Sequence, residues 1–317
     1  MVYLVTGGAG FIGSNLVHNL LQYEQEVRVL DNLSTGKREN ILPFANHPLF
    51  SFIEGDLRSF HIVRKAVKGV DYILHQGALP SVPRSINDPL TTSDVNITGT
   101  LNILEAAREY GVKRVVYASS SSIYGSNESL LKNEELPVLP MSPYAITKYA
   151  GERYCLLYYQ LYGLETVALR YFNVFGTNQD PNSEYSAVIP RFIRKIVNNE
   201  RPVIYGDGLQ SRDFTFVANN IEANLLACSQ SGAEGQVFNI ACGKSYDLIT
   251  LVKEINHLLG KSIEPLFEEK RSGEIKHSLA DISKAEKKLG YEVKVDFRSG
   301  LEKTIENYFR NSHNKKN

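Results

Sequence analysis

A chain of 317 residues is about twice the ~150-residue norm for one domain, which excludes a small disulfide- or metal-stapled scaffold and predicts two domains around a sizeable core. Lysine plus arginine and aspartate plus glutamate each number 35. No net field therefore attracts a polyanion or an acidic membrane, and neither nucleic acid nor a membrane is expected as a partner. The 43% hydrophobic and 22% charged shares are those of a folded chain, not a disordered one.

In chain order, short Val/Ile-rich runs predict strands at Tyr3 to Thr6, Val27 to Asp31, Phe50 to Glu54, Asp71 to His75, Arg114 to Ser119 and Thr166 to Arg170. Helical spacing lies between them, as in Val95 to Tyr110, which Gly111 stops. This alternation predicts an α/β fold, a Rossmann-like doubly wound parallel sheet with ligands at the carboxyl ends of its strands. After about residue 172 the pattern loosens. A Gly/Asn/Pro-marked stretch from Gly176 to Pro181 precedes a helix near Val188 to Asn198 and strand-like pieces at Val203 and Val237. We expect a dinucleotide-binding domain over 1–172 and a smaller C-terminal α/β cap over 173–317, with a segment near 218–242 able to return to the first domain. The polar end, Asn311 to Asn317, is expected to fray.

The cysteines, Cys155, Cys228 and Cys242, are odd in number and far apart. They fit neither a disulfide framework nor a zinc site, so no metal is expected and a reducing compartment is. The start, Met1 to Thr6, lacks the basic end and long apolar core of a signal peptide, and no apolar run reaches the ~18 residues of a membrane span. A cytoplasmic location is the expectation.

Two constellations carry chemistry. Thr6-Gly7-Gly8-Ala9-Gly10-Phe11-Ile12-Gly13 lies between a predicted strand and a predicted helix, where glycines allow a tight turn, close approach of a pyrophosphate and helix-to-strand packing. Asp31 ends the second strand and suits both hydroxyls of an adenosine ribose. It would repel a 2′-phosphate, which favours NAD over NADP although Lys37 and Arg38 follow closely. The second constellation is Tyr144 and Lys148, one helical turn apart, with the hydroxyl run Ser119 to Ser122 at the end of another strand. Tyrosine ionises near pH ~10 and becomes a base at neutral pH only if a cation such as Lys148 favours its phenolate. A serine hydroxyl then holds the substrate oxygen while hydride leaves the same carbon. Taken singly, these are equally a core tyrosine, a surface lysine and a polar loop; the nucleotide loop beside them tips the balance.

The chain resembles the extended short-chain dehydrogenase/reductase superfamily, through T-G-G-A-G-F-I-G at 6–13, S-S-S-S-I-Y-G at 119–125 and S-P-Y-A-I-T-K at 142–148. D-N-L-S-T-G-K at 31–37, L-R-Y-F-N-V-F-G at 169–176 and G-E-I-K-H-S-L-A-D-I-S-K at 273–284 look like nucleotide-sugar 4-epimerases. H-Q-G-A-L-P-S-V-P-R-S-I-N-D-P at 75–89 is most similar to the branch that acts on UDP-N-acetylhexosamines.

The resemblance implies NAD bound by Gly7, Gly10, Phe11, Ile12 and Gly13, with Asp31, Asn32, Ser34, Thr35 and Gly36 at the adenosine ribose and Asp56 and Leu57 at adenine. Gln76, Gly77, Ala78 and Tyr171 would run along the cofactor, and Lys148 would touch the nicotinamide ribose. For the substrate it implies a UDP-sugar in the cap. Asn173, Arg212 and Arg271 would hold the diphosphate, and Val188 and Tyr205 would enclose uracil. Ser81, Arg84, Ser121, Ser120 and Tyr144 would face the sugar. Counting back from Tyr124 aligns the catalytic hydroxyl with Ser120, with Ser121 and Ser122 close in register. Two departures stand out: Glu274 where the family often has aspartate, and Ser278 at a gate position where a bulky tyrosine would exclude an N-acetyl group. The helices near 95–110 and 144–162 are similar to those that pair as a four-helix bundle, implying a homodimer.

The resulting expectation is 4-epimerisation of UDP-GlcNAc and UDP-GalNAc, with UDP-Glc and UDP-Gal as further substrates, through a 4-keto intermediate. The closest enzymatic rivals are a 4,6-dehydratase and a uronate decarboxylase; a UDP-glucuronate 4-epimerase is harder to exclude, with Arg84 as partner for a sugar carboxylate. Dehydratase and decarboxylase relatives carry acidic residues beyond the catalytic hydroxyl, and Ser121-Ser122-Ile123-Tyr124 has none. A non-catalytic NAD sensor has no use for the set Ser120, Tyr144 and Lys148.

Overall fold

The computed structural model describes residues 1–180, 187–270 and 276–314. The chain starts with β1 (Val2–Thr6), α1 (Phe11–Gln22), β2 (Glu26–Asp31), β3 (Phe50–Glu54), α2 (Phe60–Val67), β4 (Tyr72–His75), α3 (Val82–Asn87) and α4 (Pro89–Ser93). It continues through a π-helical turn (Asp94–Thr98), α5 (Gly99–Glu109), β5 (Arg114–Ser120), β6 (Leu131–Lys132), α6 (Pro143–Tyr162) and β7 (Glu165–Tyr171). After β8 (Val174–Phe175) come α7 (Val188–Val197), β9 (Val203–Tyr205), β10 (Ser211–Arg212), β11 (Thr215–Phe216) and α8 (Val217–Ser229). The last elements are β12 (Gln236–Ile240), β13 (Tyr246–Asp247), α9 (Leu248–Leu259), β14 (Leu266–Glu268), β15 (His277–Ala280), α10 (Ser283–Leu289) and α11 (Phe297–Asn314).

Among the described residues, seven strands form one parallel sheet in the order β12-β7-β5-β4-β1-β2-β3. The reversal of winding beside β1 makes it a doubly wound, Rossmann-like sheet whose crevice opens at the carboxyl ends of β1 and β4. Alternation along the strands feeds two cores. Val5, Val29, Leu74, Val116 and Leu169 pack one face with Leu16 and Leu20 of α1 and Ile221 of α8. Leu4, Ile73, Val115 and Ala168 pack the other with Val63 of α2, Ile103 and Leu104 of α5 and Cys155 of α6.

The predicted strands agree with the observed ones to within a residue at each end. The strand at Val237 lies in the segment near 218–242 read as able to return to the first domain: β12 pairs with β7 as the edge of the main sheet, Phe238 opposite Leu169. Two expectations change. The helix expected over Val95 to Tyr110 begins with the wider π turn, because Asn96 turns inward there and grips the backbone of Leu79 through both its oxygen and its nitrogen. The last helix continues to Asn314, past the point where fraying was expected.

The smaller elements gather beyond the carboxyl edge of the sheet. β13, β10, β15 and β6 form a four-stranded mixed sheet, and β9 pairs with β14. Phe175, Phe214, Phe216 and Phe297 form an aromatic cluster beneath them, with Tyr246 stacked on Phe297 at 4.1 Å. Among the described residues no helix is long and apolar enough to cross a membrane.

Candidate active site

The crevice over β1 and β4 is a cleft of about 590 Å³. Its floor is the loop from β1 into α1. Gly7 has φ +65°, and a Cβ there would fall 2.8 Å from the Gly77 Cα; a Cβ on Gly13 would fall 2.1 Å from the Gly7 carbonyl oxygen. Side chains at these positions would collide with the backbone of the loop and of the turn after β4, so the glycines let the two pack closely, and the first residues of α1 line the cleft, where its N-terminus suits a pyrophosphate. At the end of β2, Asp31 accepts the Ala9 N–H at 2.9 Å and the Leu33 N–H at 2.8 Å, which ties the glycine loop to the turn at 33–36; burial raises its pKa and these N–H groups oppose the rise. Gly36 does not line the cleft but packs on this pair, its position for a Cβ lying 2.9 Å from Asp31 Oδ2. The Arg58 guanidinium holds the Asp56 carboxyl down to about 2, and Asn32 donates to it at 2.9 Å. Asn32, Ser34, Thr35, Asp56 and Leu57 line the cleft together with Asp31.

Lys37 pairs with Asp180 at 2.7 Å and Arg38 pairs with Glu54. Both cations that follow Asp31 thus already hold carboxylates. This favours a plain ribose over a 2′-phosphate beside Asp31.

Gln76, Gly77 and Ala78 follow β4 along the cleft wall. Gln76 and Tyr171 join Asn224 of α8 in one network: the Tyr171 hydroxyl donates to Gln76 at 3.3 Å and accepts from Asn224 at 2.7 Å, and burial pushes the Tyr171 phenol up to about 12. Tyr171 therefore acts as a neutral, fixed wall.

α6 delivers Tyr144 and Lys148 to the inner end of the same cleft. The helix starts where it does because Ser142 caps it, accepting the Ala145 N–H at 3.2 Å, with Pro143 at its first position; it ends on Gly163 at φ +69°. Of the four serines, Ser120 is the one whose hydroxyl meets the Tyr144 phenol; burial raises the tyrosine pKa and this hydrogen bond lowers it. Ser120 is not itself among the residues that line the cleft; Ser119 is, but its hydroxyl turns away and donates to the buried Glu152 at 2.8 Å. The Lys148 ammonium donates to the Ala118 carbonyl at 2.9 Å, and burial draws its pKa down to about 8. Ser81, at φ +97°, and Arg84 line the cleft near these groups, and the Ser81 hydroxyl caps α3 by accepting the Arg84 N–H at 3.3 Å.

A second cavity of about 260 Å³ adjoins the first at Ala187. Asn173, Val188, Tyr205 and Arg212 all line it, from β8's approach, α7, β9 and β10. Ser278 lies on β15 directly opposite Arg212 in the small sheet and lines neither cavity, and Ser121 lines neither. Arg271 and Glu274 lie outside the described residues. Sequence reasoning missed Asn96, Gln179 and Asp180. Asn96 clamps the cleft wall at Leu79 to Thr147 of α6, with 3.0 Å to the threonine hydroxyl. Gln179 and Asp180 line the cleft from a loop about 170 residues after the glycines, with only turn-forming composition to mark them.

The model of one family, the NAD dependent epimerase/dehydratase family, matches residues 3–241. The chain belongs to that family. A putative UDP-glucose 4-epimerase of Methanocaldococcus jannaschii is 39% identical over 98% of this chain and 99% of its own length. Among solved structures, a UDP-N-acetylglucosamine 4-epimerase from Methanobrevibacter ruminantium M1, in complex with UDP-N-acetylmuramic acid, superposes with a TM-score of 0.93 at 42% identity and 98% coverage of each chain. A UDP-glucose 4-epimerase of Thermus thermophilus in complex with NAD superposes with a TM-score of 0.88 at 36% identity, covering 98% of this chain and 99% of that one. NAD is thus the cofactor of the family's chemistry, and the glycine cradle and Asp31 fit it.

Proposed function

We propose that the chain is a UDP-sugar 4-epimerase whose preferred pair is UDP-GlcNAc and UDP-GalNAc, with UDP-Glc and UDP-Gal also accepted. The observation that carries this reading is that Tyr144 and Lys148 both line the dinucleotide cleft, with the Ser120 hydroxyl against the Tyr144 phenol, beside a second cavity lined by Asn173 and Arg212. In this reading residues 1–172, with 218–242 returned to them, hold NAD, and most of 173–317 holds the UDP-sugar.

When bound, NAD supplies the hydride acceptor and, in its oxidised ring, a positive charge that favours an adjacent phenolate. Tyr144 takes the proton from the sugar C4 hydroxyl, Ser120 holds that oxygen, and Lys148 supports the phenolate and orients the nicotinamide ribose. The 4-keto sugar then turns about its bond to the diphosphate, so that hydride and proton return on the opposite face of C4. Turning requires firm holding of UDP and loose holding of the ring. Asn173, Arg212 and Arg271 serve the diphosphate, and Val188 and Tyr205 serve uracil. Ser278 lines neither cavity and does not argue for an acetamido group; similarity to the Methanobrevibacter enzyme supports the acetylated branch.

Arg84 in the catalytic cleft favours one second reading, a substrate whose sugar carries a carboxylate, as in UDP-glucuronate. Assay of the NAD-loaded protein on UDP-GlcNAc, UDP-Glc and UDP-glucuronate separates the two. Interconversion of the acetylated pair with the highest kcat/KM is expected; turnover of UDP-glucuronate alone moves the assignment to the acidic sugar, and turnover of none refutes epimerisation. We further read the chain as a cytoplasmic homodimer that pairs through α5 and α6.

A further inference from the structure

The extended stretch after Ser211 alternates sides. Arg212 and Phe214 line the 260 Å³ cavity, and Asp213 between them turns the other way and is fully buried. Its Oδ1 accepts the Cys242 N–H at 2.9 Å, and its Oδ2 accepts the N–H groups of Gly243 at 3.0 Å and Ala280 at 3.3 Å, with the Lys244 N–H also bonded to the carboxylate. Burial pushes the Asp213 pKa up to about 6 and these four donors oppose the rise. The Asp213 main-chain carbonyl accepts from Asn173 Nδ2 at 3.2 Å.

These contacts converge on the substrate side of the site. Asn173 is bonded to Asp213, Arg212 precedes it, and Ser278 sits opposite Arg212 and two residues before the Ala280 amide that Asp213 holds. Several backbone donors aimed at one point require lone pairs on both oxygens, which a carboxylate has; an amide would turn N–H toward N–H on one side.

We infer that Asp213 is the positioning residue of the substrate half of the site: its carboxylate clips the 242–244 turn and β15 to β10 and so fixes where Arg212 and Asn173 stand around a nucleoside diphosphate sugar and where Ser278 stands beside Arg212. The inference rests on the UDP-sugar reading above. Asp213 touches no substrate in this scheme. Its effect passes through the three residues it aligns, so it governs binding of the diphosphate more than the chemical step.

The test is calorimetric titration of UDP into NAD-loaded wild type and Asp213→Asn, with steady-state kinetics on the best UDP-sugar. A UDP Kd at least tenfold weaker, a KM raised in step, kcat at saturation within threefold and an unchanged NAD content are expected. A UDP affinity within twofold of wild type overturns the clip, and wild type that fails to bind UDP overturns the UDP-sugar reading and the clip together. Hydrogen exchange of wild type with and without UDP provides a test that does not depend on the folding of the variant. Binding of UDP to an aligned site must stabilise the clip that aligns it, so exchange at the Cys242, Gly243 and Ala280 amides slows at least threefold. Unchanged exchange at all three overturns the inference.

Discussion

The Lys148 ammonium is buried against the end of β5, where it meets the Ala118 carbonyl and burial has lowered its pKa to about 8 from the ordinary 10.5. Below about 8 the folded protein therefore carries a buried cation, at a cost that fades as pH rises from there toward 10.5, because folding favours the neutral amine. In protein freed of NAD, Lys148→Met is expected to lose turnover and yet to gain about 1–2 kcal/mol of stability at pH 7, the gain shrinking toward pH 10. Calorimetric melts at the two pH values check this; a variant that melts below wild type at pH 7 contradicts it. Tyr144→Phe is expected to keep its NAD and lose turnover by ~10²–10⁴-fold, the usual share of a general base, as measured by single-turnover assay and by NAD released on denaturation. At this scale the sequence is readable where a residue type is forced by backbone geometry, as at Gly7 and Gly13. It is ambiguous where four like residues follow one another: only the strand's course distinguishes Ser120, which faces Tyr144, from Ser119, which faces Glu152.

α6 carries the reacting groups, and its distance from the sheet sets their depth in the cleft. A Cβ on Gly151 would stand 2.3 Å from the Tyr117 hydroxyl, so the helix approaches β5 as closely as it does only because that side chain is missing. Gly151→Ala is expected to cost about 1–3 kcal/mol by overpacking and to reduce kcat, since Tyr144 and Lys148 shift with the helix; denaturant titration and steady-state rates read the two effects. The next residue, Glu152, holds Arg170 of β7 through both carboxylate oxygens, at 2.7 and 3.0 Å, and both side chains are buried. Glu152→Ala leaves the guanidinium without that charge in the core and is expected to destabilise by about 3–5 kcal/mol, read as a lowered denaturation midpoint. Strands and long helices were legible because alternation and caps are local properties. The π turn at 94–98 was not, since its cause is the grip of Asn96 on Leu79, a contact 17 residues back along the chain.

At the scale of the whole molecule, α6 leaves Ile146, Leu157, Leu161 and Tyr162 exposed, the last three within two turns of each other. A second copy pairing through α5 and α6 would cover them. Light scattering at micromolar concentration should give twice the mass of one chain, and Leu161→Asp should shift it toward one; a wild-type mass of one chain rejects the dimer. Domain organisation was only half legible. The first 170 residues announce their sheet by regular alternation, whereas β12 reaches the sheet edge from a point after α7 and the small strands, and no local pattern reveals that its partner is β7.

The loop that closes the cleft is tied to the dinucleotide side at several points: Thr177 and Asn15 exchange two hydrogen bonds at 2.7 and 3.0 Å, Asn178 donates to Ser14 at 3.1 Å, and Asp180 meets Lys37. In the epimerase reading, a nucleotide beneath such a strap is expected to stay bound as a prosthetic group, not to be traded as a soluble currency between enzymes. Because an epimerisation returns its hydride to the carbon that gave it, a captive nucleotide finishes every cycle in the state in which it began. On that expectation the protein would work independently of the NAD⁺/NADH ratio in its surroundings, neither drawing on the reducing power of the cell nor adding to it.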